Sequence, residues 1–290
     1  MLVRHVVPAD LDETIRVDRY AAETFAVFAS RKAARKACKR GEVLLDGAPV
    51  ESSRFVHPGD RIEILEPDVH PPGPWPHALE IPWVDDHLAV VVKPPGIPVH
   101  GPRRHTLVNA LVAALPPPER PDALPWPHPV HRLDIRTGGL LLVARTGPAQ
   151  VTLGQALEAR HVDKRYRALA VGRLEGEGRV EQAVGGRAAT SDWRAVQQTP
   201  SARDGWLTTV DLWPRTGRTH QLREHLASLG HPVLGDDLYD DPDTVLRGRG
   251  LFLWSVEVGL AHPATGAPLR VAIPEPPKFA RWREREARRA

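Results

Sequence analysis

The segment His131-Arg-Leu-Asp-Ile-Arg-Thr-Gly-Gly-Leu-Leu-Leu-Val-Ala144 places an acid in a polar loop that runs straight into an apolar stretch. Such a loop holds the Asp134 carboxylate at the mouth of a core, partly withdrawn from water, where a carboxylate can act as base or nucleophile. By residue type alone, an Asp in that place is more often a turn former or a cap. Arg132 and Arg136 flank the acid and can contact phosphate or pair with acids. Further on, Arg218 and His220 stand where a helix begins, and free N–H groups with the helix dipole favour anions there. A third feature is Arg31-Lys-Ala-Ala-Arg-Lys-Ala-Cys-Lys-Arg40, six cations in ten residues with no acid between them. A charge run is usually a solvated face, but self-repulsion disfavours a helix this basic without an anionic partner. Arg31, Lys32, Arg35, Lys36, Lys39 and Arg40 are therefore candidates for contact with an anionic partner.

The elements that carry these groups can be read in outline. Val17 to Phe28 has a helical pattern, and Ser30 can cap a second helix that ends where Gly41 supplies a left-handed residue. Strands follow at Glu42–Asp46 and Arg61–Leu65, with turns at Asp46-Gly47 and Pro58-Gly59. A Pro-rich stretch at 67–78 reads as a linker. Beyond it, Leu88–Val92, Gly139–Ala144, Tyr166–Gly172, Trp206–Trp213, Leu251–Val258 and Leu269–Ile273 read as strands. Thr106–Leu115 and Thr219–Leu229 read as helices, and the Pro-rich 116–129 as a loop. Strands outnumber helices without regular βαβ alternation, so the expected class is α+β with a mainly antiparallel sheet.

Two resemblances sharpen the picture. Residues 17–65 resemble the S4 RNA-binding domain, in which the basic helix and adjoining loop grip RNA. The Asp134 segment resembles the His-Arg-Leu-Asp-x-x-Thr-Ser-Gly-Leu signature of RluA-type RNA pseudouridine synthases. Val84–His100, Lys164–Gly172, Gly217–Leu226 and His231–Tyr239 resemble that family's other motifs in the same order. The likeness spans about residues 79–275, and an S4-like part is a known companion in the family. It implies that Asp134 is the essential carboxylate, that the Tyr166 ring packs against the target base, and that Arg223 is the basic partner of the Asp. Leu222 helps wall the pocket, and Arg132 and Arg218 are expected to touch substrate. These roles cohere, because breaking the C1′–N1 bond and rejoining uracil through C5 suits a carboxylate at an anomeric carbon. The detached base also needs an aromatic face and apolar walls to keep it. Without the motif, Tyr166 would be a half-buried strand residue and Arg223 a solvated helix residue. Two departures stand out. Gly138 takes the place of the usual Ser, which removes a hydroxyl from the loop. Leu251-Phe-Leu-Trp254 stands where a Leu-His-Ala stretch is common, which reads as repacking.

The expected organisation is an S4-like domain at 1–66, a linker at 67–78, a catalytic domain at 79–275 and a charged tail at 276–290. Composition agrees with a folded protein: of 290 residues, 41% are hydrophobic and 26% charged. Of 39 basic residues six are Lys, leaving 33 Arg, which suit bidentate phosphate contacts, although a GC-rich coding bias would also enrich Arg. A single cysteine, Cys38, excludes an intramolecular disulfide and cysteine-rich zinc sites. Fourteen His show no ligand spacing backed by acids, and His220 and His225 are five apart, so no metal is expected. No Walker or Rossmann loop occurs, so no nucleotide cofactor is expected either. There is no apolar run long enough for a membrane span and no signal-peptide pattern in MLVRHVVPADLDET, so a cytoplasmic monomer is expected. The expected partner is RNA, ribosomal before transfer. The rival reading is a catalytically silent RNA-binding protein of the same fold that acts in ribosome assembly.

Overall fold

The computed structural model of the chain describes residues 3–11, 14–25, 27–28, 30–65, 71–243 and 245–290. Its contacts divide the chain into two compact units, Met1–His70 and Pro71–Ala290.

The smaller unit contains β1 (Val3–Val6), β2 (Ile15–Arg16), α1 (Val17–Thr24), α2 (Arg31–Lys39), β3 (Val43–Leu45), β4 (Ala48–Pro49), β5 (Phe55–Val56) and β6 (Arg61–Ile64). Its main sheet has the order β1-β6-β3-β4, and β2 pairs with β5. The Ser30 hydroxyl accepts a hydrogen bond from the Ala33 N–H and starts α2. Small residues Ala34, Ala37 and Cys38 let α2 lie close on a core of Val17, Tyr20, Val43 and Ile62. The β3–β4 hairpin turns through Asp46 and Gly47, with φ of 50° and 84°, a two-residue turn that Asp-Gly suits. Helix α1 stops four residues short of the expected end, because Phe25 turns extended and buries its ring.

The larger unit contains β7 (Trp83–Val84), β8 (Leu88–Lys93), α3 (Leu107–Ala114), β9 (Ala123–Pro129), β10 (Gly138–Thr146), α4 (Gly147–Glu158) and β11 (Asp163–Val171). It continues through β12 (Glu177–Val180), β13 (Ser191–Ser201), β14 (Gly205–Pro214), α5 (Gln221–Ser228), β15 (Leu253–Ala261), β16 (Pro268–Ala272) and α6 (Pro277–Ala287). One ten-stranded sheet runs β12-β13-β14-β11-β15-β10-β8-β7, with β16 on β15 and β9 on β10. All these pairings are antiparallel except β10 with β15, so the sheet is mixed and mainly antiparallel as expected.

Alternate residues of the central strands feed opposite faces of the sheet. Ala89, Val91, Leu141 and Val143 join the core under α3 and α5, which also holds Tyr166, Leu212, Leu222 and Leu253. Leu88, Val90, Leu140 and Leu142 join Leu153 of α4 on the other side. This double burial explains why β8 and β10 read as unbroken apolar runs.

Several expectations on extent change. Residues 66–70 of the expected domain end and linker lie outside the described residues. The remainder of the linker clusters with the larger unit, where the Trp75 N–H donates to Asn109 O and Asn109 Nδ2 donates to Gly73 O. The supposed loop 116–129 contains β9, and the supposed tail 276–290 contains α6, whose Phe279 and Trp282 pack with Leu169, Leu207 and Phe252.

Candidate active site

Asp134 lies in a turn in which the Thr137 N–H donates to Asp134 O, just before β10. The preceding β8 ends in the Lys93-Pro-Pro-Gly96 turn, and this turn clamps the acidic loop. Ile135 O accepts from the Gly96 N–H at 2.7 Å and from Lys93 Nζ at 3.3 Å. Lys93 is fully buried and also donates to Pro94 O and Ile97 O. Its three donors thus meet three carbonyls. Burial pushes its pKa down to about 8, opposed by the nearby Asp134 charge. On the other side of the loop, His131 Nε2 accepts from the Leu142 N–H at 3.0 Å. Burial, reinforced by Lys164, lowers the His131 pKa to about 3, so the ring is neutral and serves as an anchor.

Arg136 settles as a tie. Its guanidinium bonds Asp237 and donates to Gly235 O at 2.6 Å, which joins the acidic loop to the 231–239 segment. Arg132 is exposed with no hydrogen bond or ion pair among the described residues, and it lines the same cavity as Asp134.

That cavity, about 260 Å³, is walled by Leu133, Tyr166, Leu222 and Leu253 and reached by Asp134, Lys164, Arg218 and Arg223. Tyr166 sits on β11, the second strand beyond β10, and is 8% exposed. Burial, with the Asp134 charge adding, raises its pKa, so the phenol stays neutral. Arg218 donates through Nε to Ala188 O at 3.2 Å, which leaves its terminal nitrogens for the cavity. His220, with φ of 59°, has its Nδ1 3.0 Å from the Tyr239 hydroxyl and provides no helix cap. Gln221 fastens the turn before α5: its Oε1 accepts from Thr216 Oγ1 and the Arg218 N–H, and its Nε2 donates to Thr190 O and Ser191 Oγ.

Arg223 is almost fully buried. Two of its nitrogens, Nε and Nη2, donate to the two oxygens of Asp236 at 2.6 Å each. The third, Nη1, points at Asp134 Oδ2 at 4.0 Å. Burial works against the guanidinium charge, but Asp236 and then Asp134 more than offset it, and the pKa rises. The side chain also lies 5.1 Å from the Tyr239 ring centre, a cation–π contact. Sequence reasoning found Arg223 by motif and missed Asp236, Lys93, Lys164 and Gln221, although all four lie inside the motif segments.

The two departures from the family pattern meet in the fold. A Cβ on Gly138 would fall inside the Trp254 ring, and a Cβ on Gly139, with φ of 107°, would meet the Ser255 backbone. These are the partners across the one parallel pairing, Gly138 with Trp254 and Gly139 with Ser255. Gly138→Ser should therefore cost about 1–3 kcal/mol by overpacking. The double change Gly138→Ser/Trp254→His should recover part of that loss. A thermal-melt double-mutant cycle with no coupling between the two positions would contradict this pairing.

The model of the RNA pseudouridylate synthase family matches residues 87–228, and that of the S4 domain matches residues 24–62. The chain is 33% identical over 311 residues to "Ribosomal large subunit pseudouridine synthase D" of Xanthomonas campestris pv. campestris, with 96% of this chain and 91% of that protein covered. It is 31% identical to the protein of the same name from Pseudomonas aeruginosa, over 91% of this chain and 89% of the other. A solved structure, "Human RNA Pseudouridylate Synthase Domain Containing 1", superposes with a TM-score of 0.59 at 25% identity, covering 69% of this chain and 84% of that one. The chain belongs to the RNA pseudouridine synthase family: it is an isomerase that moves uracil from an N1 to a C5 linkage, and it carries an S4 domain ahead of the catalytic unit. No helix among the described residues is long and apolar enough to cross a membrane, and no cluster of His, Cys, Asp or Glu there could hold a metal ion.

Proposed function

We propose that Asp134 is the catalytic carboxylate and that the substrate is ribosomal RNA of the large subunit. The observation that carries the first part is the placement of Asp134 at the mouth of an apolar cavity, with Arg223 Nη1 4.0 Å away and Arg223 itself fixed by Asp236. The guanidinium sets a fixed positive charge beside the carboxylate that would attack C1′ or remove a proton from the ribose. Tyr166, Leu222 and Leu253 hold the freed uracil while it turns. The target uridine is flipped from its stack to enter, and Arg132 and Arg218 take its phosphates. The second part rests on the printed names of the two bacterial relatives. The protein is further proposed to work as a cytoplasmic monomer.

The test uses RNA labelled with tritium at uracil C5, because forming pseudouridine expels that hydrogen. Total RNA from cells lacking the protein is offered to wild type and to Asp134→Asn. Release by wild type alone, mapped to large-subunit RNA, supports the proposal. Release by both proteins removes Asp134 from the chemistry, and release confined to transfer RNA overturns the substrate.

The basic helix is proposed as the RNA grip of the smaller unit, and its six cations are not equal. All six are exposed, but Arg31 donates to Asp18 Oδ1 at 3.1 Å and Arg40 pairs with Glu42. Lys32, Arg35, Lys36 and Lys39 have no such partner among the described residues. Lys36→Glu/Lys39→Glu should lower the slope of log affinity against log salt by about 1.4 for single-stranded RNA or about 1.8 for a duplex. Arg31→Ala should lower it by less, since that charge is already compensated. Equal slopes for all variants, measured by filter binding across a salt series, would remove the helix from the interface.

A further inference from the structure

A second groove, of about 800 Å³, opens on the larger unit. One bank is the loop after β8, with His100, Arg103 and Arg104. The other is the β9 edge, with Trp126 and His128. Arg103 and Arg104 are exposed and have no hydrogen bond or ion pair among the described residues. No carboxylate among the described residues lines the groove. Trp126 and His128 are stacked, 5.1 Å between ring centres and 27° between planes, and both are partly exposed, so a base can extend the stack. The floor is rigid: Thr106 Oγ1 caps α3 by accepting from the Asn109 N–H, and Asn109 Nδ2 holds Gly73 O.

Free cations, an aromatic face and no acids form the combination that binds single-stranded nucleic acid: cations track the backbone and rings stack bases. The groove also leads toward the isomerisation cavity. His128, on its bank, stands three residues before His131, which lines the Asp134 cavity, and the Arg132 charge in that cavity reaches His100 on the other bank.

We propose that this groove holds the single-stranded RNA next to the target uridine, with Arg103 and Arg104 on phosphates and one base stacked on the Trp126–His128 face. The assignment rests on the reading that the Asp134 cavity takes the uridine, and it extends that site by a flanking nucleotide. The groove therefore contributes to choice of target, since a flank held in a duplex cannot lay a base on the rings.

The probe is a labelled single-stranded oligouridine of about twenty nucleotides, a length chosen to cover both cavity and groove at a few nucleotides each. Binding to the full chain is measured across a salt series. Arg103→Glu/Arg104→Glu should lower the log–log salt slope by about 1.4. Trp126→Ala should weaken binding at least about 5-fold, and Trp126→Phe should restore most of it. A 5-iodouridine version of the probe should cross-link to the peptide that contains Trp126. Unchanged slope and affinity in these variants, with cross-links elsewhere, overturn the groove. The binding readout is independent of chemistry. A wild type that releases no tritium yet shows these shifts would sink the isomerisation reading and leave the groove, and the opposite pattern would sink the groove alone.

Discussion

Asp134→Asn should cut single-turnover isomerisation by at least about 10²–10⁴-fold and leave both the fold and RNA binding in place. The amide matches the carboxylate in shape, so the turn before β10 is kept. Arg223 remains neutralised by Asp236, whose two bonds are the shorter ones, and no buried charge is stranded. What disappears is the negative charge facing the cavity, which either a nucleophile or a base needs. The measurement is tritium release under excess enzyme, read beside RNA affinity and melting temperature. A variant within tenfold of wild type would move the chemistry to another group. A variant that fails to melt cooperatively would show instead that the charge supports the fold. The same change at Asp237 should have a small effect, since that side chain is exposed and among the described residues pairs only with Arg136.

The sequence carried the acidic loop because a polar turn feeding an apolar run is a local pattern, and Asp134 stands within it. Arg223 was different. Its neighbours on a short helix suggest a solvated side chain, and what buries it is Asp236, thirteen residues later and across a turn. Only a collinear motif could bring those two together before the fold was seen. Lys93 was hidden for a related reason. A lysine at a strand end reads as a surface cation, whereas here three backbone carbonyls replace water around its ammonium. Local rules also misread β9, because Pro125, Pro127 and Pro129 look like a loop. The strand pairs on one side only, with β10, so prolines are tolerated at that edge. Helix α4 has no counterpart in the sequence reading, although the Thr146 cap and Pro148 are start signals. The Gly138–Trp254 contact lay beyond reach, since two positions 116 apart meet only when β10 and β15 run side by side.

Asp236→Ala should be the most damaging change to stability in the site. It leaves the buried Arg223 guanidinium with a single counter-charge at 4.0 Å and no hydrogen-bonded acceptor. Breaking a buried pair in this way costs about 3–5 kcal/mol, which for a unit of this size lowers the melting temperature by about 10 °C. Activity should fall further than the folded fraction does. Freed from Asp236, the guanidinium can close on Asp134 and occupy the carboxylate that the ribose has to meet. A double change, Arg223→Met/Asp236→Leu, separates the two effects. Replacing both members by apolar side chains of similar volume is often neutral or stabilising, so the melting temperature should return toward wild type. Isomerisation should not return, because the guanidinium that points at Asp134 is then gone. Melting curves and single-turnover rates for the two proteins decide the matter. If the double variant regains activity along with stability, the buried pair serves only the fold, and Arg223 has no part in presenting Asp134 to the substrate.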